Sequence, residues 1–112
     1  MPDESLRMMA DTGQLNNPTA IEKQVRSMIA DSRALNFVEH FTNQWLDLSG
    51  LDRVAINPND YPDFDDRLKA MMREETHAFF AEILRQNLSA LNLIDSDFLM
   101  INEPLALSLI HI

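Results

Sequence analysis

DFDDRLKAMMREETHAFFAEILRQN, residues 63–87, is the stretch on which the fold turns. Phe64, Leu68, Met71, Met72, Phe79 and Ile83 recur in it at the i, i+3, i+4 spacing of a helix that buries one face. No alternation of period two competes with that pattern, so a single long amphipathic helix is predicted. At roughly 100° per residue, Glu75 falls near the middle of the apolar stripe, between Leu68 and Phe79. A carboxylate in that place must find a partner, stay protonated or face a gap. Asp63 is the expected cap, with Asp65 and Asp66 in the first turn complementing the helix dipole.

Helical signals continue on the N-terminal side. Leu6, Met8 and Met9 suit a short helix ending at Gly13. Asn16 or Asn17 then caps a second helix that carries Pro18 in its first turn, where a missing N–H costs nothing. Ile21, Val25, Met28 and Ile29 form its apolar stripe, and it ends near Asp31. Asp31 or Ser32 caps a third helix over about residues 33–48, with Ala34, Phe37, Phe41, Trp45 and Leu48 on one face. Gln44 lies at the edge of that face. The helix is expected to stop at Ser49-Gly50, and 51–62 reads as a loop with proline and asparagine turn chemistry.

Beyond Asn87, Ser89 starts a short helical turn that Asp95-Ser96-Asp97 breaks. Asn102 then caps a last element with Glu103 and Pro104 in its first turn. The predicted class is therefore all-α, a small irregular bundle of four to five helices. Its expected organisation is an N-terminal segment or short helix over residues 1–17 and a helical bundle over 18–112. The apolar end, Leu105–Ile112, stops without a cap, so the bundle is expected to be truncated there and cut from a longer polypeptide. The predicted core comprises Phe37, Phe41, Trp45, Leu68, Met72, Phe79 and Ile83.

Composition removes several functions. A formal charge of −9 over 112 residues repels phosphate backbones and anionic headgroups, and no basic cluster offsets it. Nucleic-acid binding is accordingly not expected, nor is membrane insertion, since no apolar run approaches the roughly 18 residues needed to cross a bilayer. The absence of cysteine excludes disulfides, thiolate metal ligands, a cysteine nucleophile and thioether attachment of haem. Met1–Ala10 lacks the basic and apolar regions of a signal peptide. Two glycines leave no material for a phosphate-binding loop, a serine nucleophile elbow or a dinucleotide fingerprint.

What chemistry remains centres on Glu75. In apolar surroundings its pKa would rise, as a general acid or base requires. The structural alternative is a buried polar network in which Arg33 or Gln44 satisfies the carboxylate. A cleft open beside Glu75 would favour chemistry, and enclosure with a hydrogen-bonded partner would favour structure. His40 and His77 belong to no zinc-binding pair and are read as solvated. The seven methionines fit an adaptable core better than a set of haem or copper ligands. Asp60, Asp63, Asp65 and Asp66 lack the spacing of a calcium loop and read as caps and solubilising charge. No metal or cofactor site is assigned to this chain.

An ordered series of motifs carries a family resemblance. It runs from Gly13-x-Leu15-x-x-Pro18 to Gln24-Val25-Arg26-x-Met28-Ile29-x-Asp31-x-Arg33-Ala34 and Phe37-Val38-x-x-Phe41-x-x-Gln44-Trp45-Leu46. Tyr61-Pro62-x-Phe64-Asp65, Glu75-Thr76-x-x-Phe79-Phe80 and Asp97-Phe98-x-x-x-Asn102-x-x-Leu105-Ala106 complete it. The series, over about residues 5–106, resembles a domain of unknown function found in large planctomycete proteins that also carry c-type cytochrome-like domains. Ser32 stands where that family usually has proline, and Leu107–Ile112 matches its continuation poorly. The resemblance implies an exported, multidomain parent in the periplasm or cell envelope, with haem c held by other domains. Neighbouring domains of the same polypeptide are the implied partners, and the apolar C-terminus offers a route to self-association. No catalytic residue comes with the resemblance, so the leading expectation is a non-catalytic helical interaction module, with part of an active site built on Glu75 as the alternative.

Overall fold

A computed structural model describes residues 3–110, the last three by their backbone alone. It is all-α, as the periodicity predicts: five α-helices and three 3-10 turns are formed among the described residues, with no strand. The helices are α1 (Glu4–Asp11), α2 (Pro18–Ala30), α3 (Ala34–Trp45), α4 (Asp66–Gln86) and α5 (Glu103–Ile110). The chain divides into two compact units, one up to Ala34 and one from Leu35 onward. The sequence reading drew its boundary after residue 17 and kept residues 18–112 together. His111 and Ile112, which belong to the apolar ending expected to need a cover, lie outside the described residues.

In the first unit, Asp3 caps α1 by accepting from the Leu6 amide at 2.8 Å. Gly13 adopts φ 70°, a left-handed conformation that costs glycine little, and the chain turns there into a 3-10 segment, Gln14–Asn16. Asn17 then caps α2 through the Thr19 amide, with Pro18 at the first position. The apolar stripe of α2 is formed, yet Ile21, Val25 and Met28 on it are exposed.

The second unit is built on α3 and α4. Helix α3 is shorter than predicted and stops at Trp45, because Asp47 enters the left-handed region (φ 47°) and starts a 3-10 turn over Leu48–Arg53. Ser49 and Arg53 both donate to the Asp47 carboxylate, which holds the turn. Ser49-Gly50 therefore lies inside helical structure and does not end it. Helix α4 begins three residues later than expected. Asp65, not Asp63, is the cap: its Oδ1 accepts from the Leu68 amide at 2.8 Å. The cause is a turn after Pro62, in which Phe64 N–H donates to the Tyr61 carbonyl and Asp65 N–H to the Asp63 carbonyl. Ser89 and Asn102 cap the elements expected of them.

Helices α3 and α4 meet through aromatic and polar side chains. Phe41 and Trp45 meet Phe80 with ring centroids 5.4 and 6.5 Å apart. On the other flank, His77 Nε2 lies 3.1 Å from Asn43 Oδ1. On the helical wheel Thr42 falls between these two contacts, and it is 0% exposed, with Val38 at 2% beside it. Phe37, Phe41 and Trp45, assigned to the core from their hydrophobicity, are instead 53%, 40% and 53% exposed. Met72 is likewise exposed, whereas Ile83 is buried and Leu68 and Phe79 are half-buried. A threonine can take the central place because its hydroxyl donates back to the Val38 carbonyl at 2.7 Å and leaves no polar atom unsatisfied.

Two tethers hold the 3-10 turn and the following loop to α4. Arg73 reaches Asp52 at 2.6 Å. Lys69, only 9% exposed, donates to the Val54 carbonyl at 2.9 Å and lies over the Phe64 ring. Leu105 of α5 is also buried and closes the unit near its C-terminal end.

These assignments separate two aspartates and two core positions. Asp65→Ala should cost about 1 kcal/mol in urea unfolding and Asp63→Ala about 0.5 kcal/mol or less. Thr42→Leu, which overfills the seam, should cost about 1–3 kcal/mol.

Candidate functional site

Glu75 sits on the half-buried face of α4, nearly three turns from the Asp65 cap on one side and about two turns from Ile83 on the other. It lines an open hollow of about 380 Å³ together with Glu74, Ala78, Leu99, Met100, Ile101 and Asn102. Helix α4 supplies one wall and the irregular segment before α5 the other. Burial pushes the Glu75 carboxyl above the usual carboxylate range, and no hydrogen bond or ion pair to it is formed among the described residues.

The expected acid–amide or acid–guanidinium network takes a different form. Arg33 is held within its own unit, where Nε and Nη2 donate to the two oxygens of Asp31 at 2.8 and 2.6 Å. The Asp31 side chain also accepts from the Arg33 amide, which closes the turn after α2. This fork holds the Asp31 carboxyl well below the usual carboxylate range and raises the guanidinium in turn. Gln44 is exposed on α3, and no hydrogen bond joins it to Glu75 among the described residues. The buried carbonyl-and-amine contact that the unit does contain, Lys69 with Val54, was not legible in advance. A lysine in a helix is ordinarily solvated, and its acceptor lies fifteen positions away.

The histidines part company. His40 is exposed, whereas His77 is half-buried and bonded to Asn43, so its reading as a solvated side chain is corrected. The signal was its place one turn before Phe80 on the face that meets α3. Of the acidic loop residues, Asp60 accepts from Asn57 Nδ2, Asp65 caps α4, and Asp66 lies 3.8 Å from Lys69. Among the described residues no three histidine, aspartate or glutamate side chains converge as a metal site requires.

A second open hollow, also about 380 Å³, lies at the start of α4 and is lined by Pro62, Asp63, Asp65, Arg67, Leu68, Met71, Pro104 and Leu107. Its Asp65 is occupied as a cap, and the remaining lining is mixed. Neither hollow gathers a nucleophile with a base in hydrogen-bond reach, the geometry from which acyl or phosphoryl transfer is recognised.

What these features define is an all-helical domain with a half-buried carboxylate beside an open cleft. Residues 1–108 match the family described as PSD4, protein of unknown function (DUF1592), and the chain belongs to that family. No curated protein and no solved structure matches it.

The state of Glu75 has a sign that can be measured. Its folded carboxyl titrates above the unfolded one, so the folded state binds more protons between the two values and loses stability as pH rises through them. Glu75→Gln should therefore raise the urea midpoint at pH 7, and the advantage should vanish below the ordinary carboxylate range. With no partner to strand, Glu75→Leu should also be tolerated, and a large loss of stability in that variant would point to a hidden partner.

Proposed function

We propose that this chain is a non-catalytic helical module that docks neighbouring domains of a larger polypeptide. The observation that carries the reading is the ring ridge of α3. Phe37 stacks on Phe41 at 5.5 Å and Phe41 on Trp45 at 5.6 Å, yet all three remain at the surface of their unit. Solvated rings of this size, aligned along about two turns of one helix, form the kind of contiguous apolar patch that marks an interaction surface. Aromatic side chains also supply most of the binding energy at interfaces, since they bury large areas at little conformational cost.

The resemblance drawn from the sequence motifs supports the setting: an exported planctomycete protein in which separate domains carry haem c, leaving this module without a cofactor of its own. The catalytic alternative uses Glu75 as acid or base, completed by domains outside this chain. Its support is the open hollow and the raised carboxyl. Against it stands that, among the described residues, no side chain is hydrogen-bonded or ion-paired to Glu75 to share a proton-transfer step, which leaves the ridge as the better-supported feature.

Trp45 is the chain's one tryptophan and lies on the ridge, so its fluorescence reports docking directly. In the isolated chain its emission should be that of a largely hydrated indole. Joined to its natural flanking domains, the emission should shift to shorter wavelength. Phe37→Asp should abolish that shift while changing the stability of the isolated chain by about 0.5 kcal/mol or less, as for other surface substitutions. Identical emission in the isolated and joined forms would overturn the docking reading. Loss of activity of the joined protein in Glu75→Gln, with the shift intact, would instead support the alternative.

A further inference from the structure

The hollow beside Glu75 belongs to a different face of the domain from the ring ridge, and its lining has an unusual combination of groups. Glu74 and Glu75, consecutive on α4, give one side of the hollow its acidic lining. Ala78, Leu99, Met100 and Ile101 make the remaining wall largely apolar, and Asn102 closes it. An apolar trough ending in negative charge matches the anatomy of a lysine or arginine side chain, whose methylene stem seeks apolar surface while its head stays polar. At about 380 Å³ the hollow is at the lower end of the size of small-ligand clefts, and its breadth of opening suits a side chain arriving from outside.

A second, independent observation concerns the backbone. Leu99, Met100 and Ile101 belong to no helix or strand, and their N–H and C=O groups enter no hydrogen bond among the described residues. In the free chain such solvent-facing groups are hydrated, so they stay available to another backbone. On the rim of a groove they form a row of donors and acceptors that another backbone can pair with, as in recognition by strand addition.

We propose that this groove binds an extended peptide segment carrying a basic side chain, its backbone pairing with Leu99–Ile101 and its cationic head lying between Glu74 and Glu75. Charge complementarity selects this occupant over a second copy of the chain, since a net charge of −9 opposes self-association while attracting a cationic segment. Glu75 also gains from it. A carboxylate that now lies half-buried without a partner acquires one when the groove is filled.

The test is a titration of the full-length, isotopically labelled chain with the blocked peptide acetyl-Thr-Val-Lys-Val-Thr-amide, read by NMR amide shifts. Saturable shifts confined to residues 74–78 and 99–102 are expected. Glu75→Gln and Glu74→Gln should each weaken binding by about two- to fivefold, the size of a single exposed ion pair, with the difference shrinking at high salt. Replacing the peptide lysine with norleucine should remove both increments together, and N-methylating its valines should abolish binding. Absence of saturable shifts up to about 1 mM peptide overturns the proposal, as does equal affinity for the norleucine peptide. Shifts spread over the other acidic residues, without a maximum at the groove, overturn it as well. The ridge plays no part in these readouts, so Phe37→Asp should leave them unchanged.

Discussion

The second unit turns on the side-chain contacts that join α3 to α4, in which the rings of Phe41 and Trp45 meet Phe80 and Asn43 meets His77, with Thr42 fully buried. A hydroxyl in the middle of an apolar seam would cost free energy if it lacked a partner. Donation to the carbonyl one turn back, at 2.7 Å, removes that cost without calling on the neighbouring helix. With a small side chain at the centre, the large rings are displaced to one flank, where Phe41 and Trp45 touch Phe80 at their edges and keep much of their surface in water. The Asn43–His77 contact occupies the opposite flank and fixes the rotation. The same geometry that closes the core thus produces the exposed ridge.

Much of this architecture could be read from the residues. Asn17 with Pro18, Ser89, Asn102 and Gly13 each act where their side chains or backbone freedom predict, because capping is local chemistry involving neighbours two or three residues away. The all-α class followed from the same periodicity. Local signals failed where two mechanisms compete over a few residues. Asp63 and Asp65 are equivalent as caps by composition, and only the turn after Pro62 chooses between them. Trp45 ends α3 because Asp47 turns left-handed, a conformation that nothing in the flanking residues announces.

The site was legible to a different degree. Glu75 was identifiable from its position in the stripe, and its raised carboxyl follows from the burial that such a position implies. Its surroundings were not. Pairing it with Arg33 or Gln44 assumed that a buried acid draws the nearest suitable side chain, whereas Arg33 finds Asp31 two residues away, where almost no chain entropy is spent in bringing the two together. Likewise, placing Phe37, Phe41 and Trp45 inside followed average hydrophobicity. Burial also depends on which small residue permits helices to approach, and that is a property of the pair of helices.

The placement of Lys69 has a practical consequence. The chain contains two lysines, Lys23 on an open face of α2 and Lys69 enclosed beneath the Val54 carbonyl and the Phe64 ring. Acylating reagents need an accessible, deprotonated amine, so among the lysines they meet Lys23 on the folded molecule and Lys69 only while the covering loop is detached. Mass spectrometry of a briefly labelled sample thereby counts opening events at one place in the fold, with Lys23 as its internal clock.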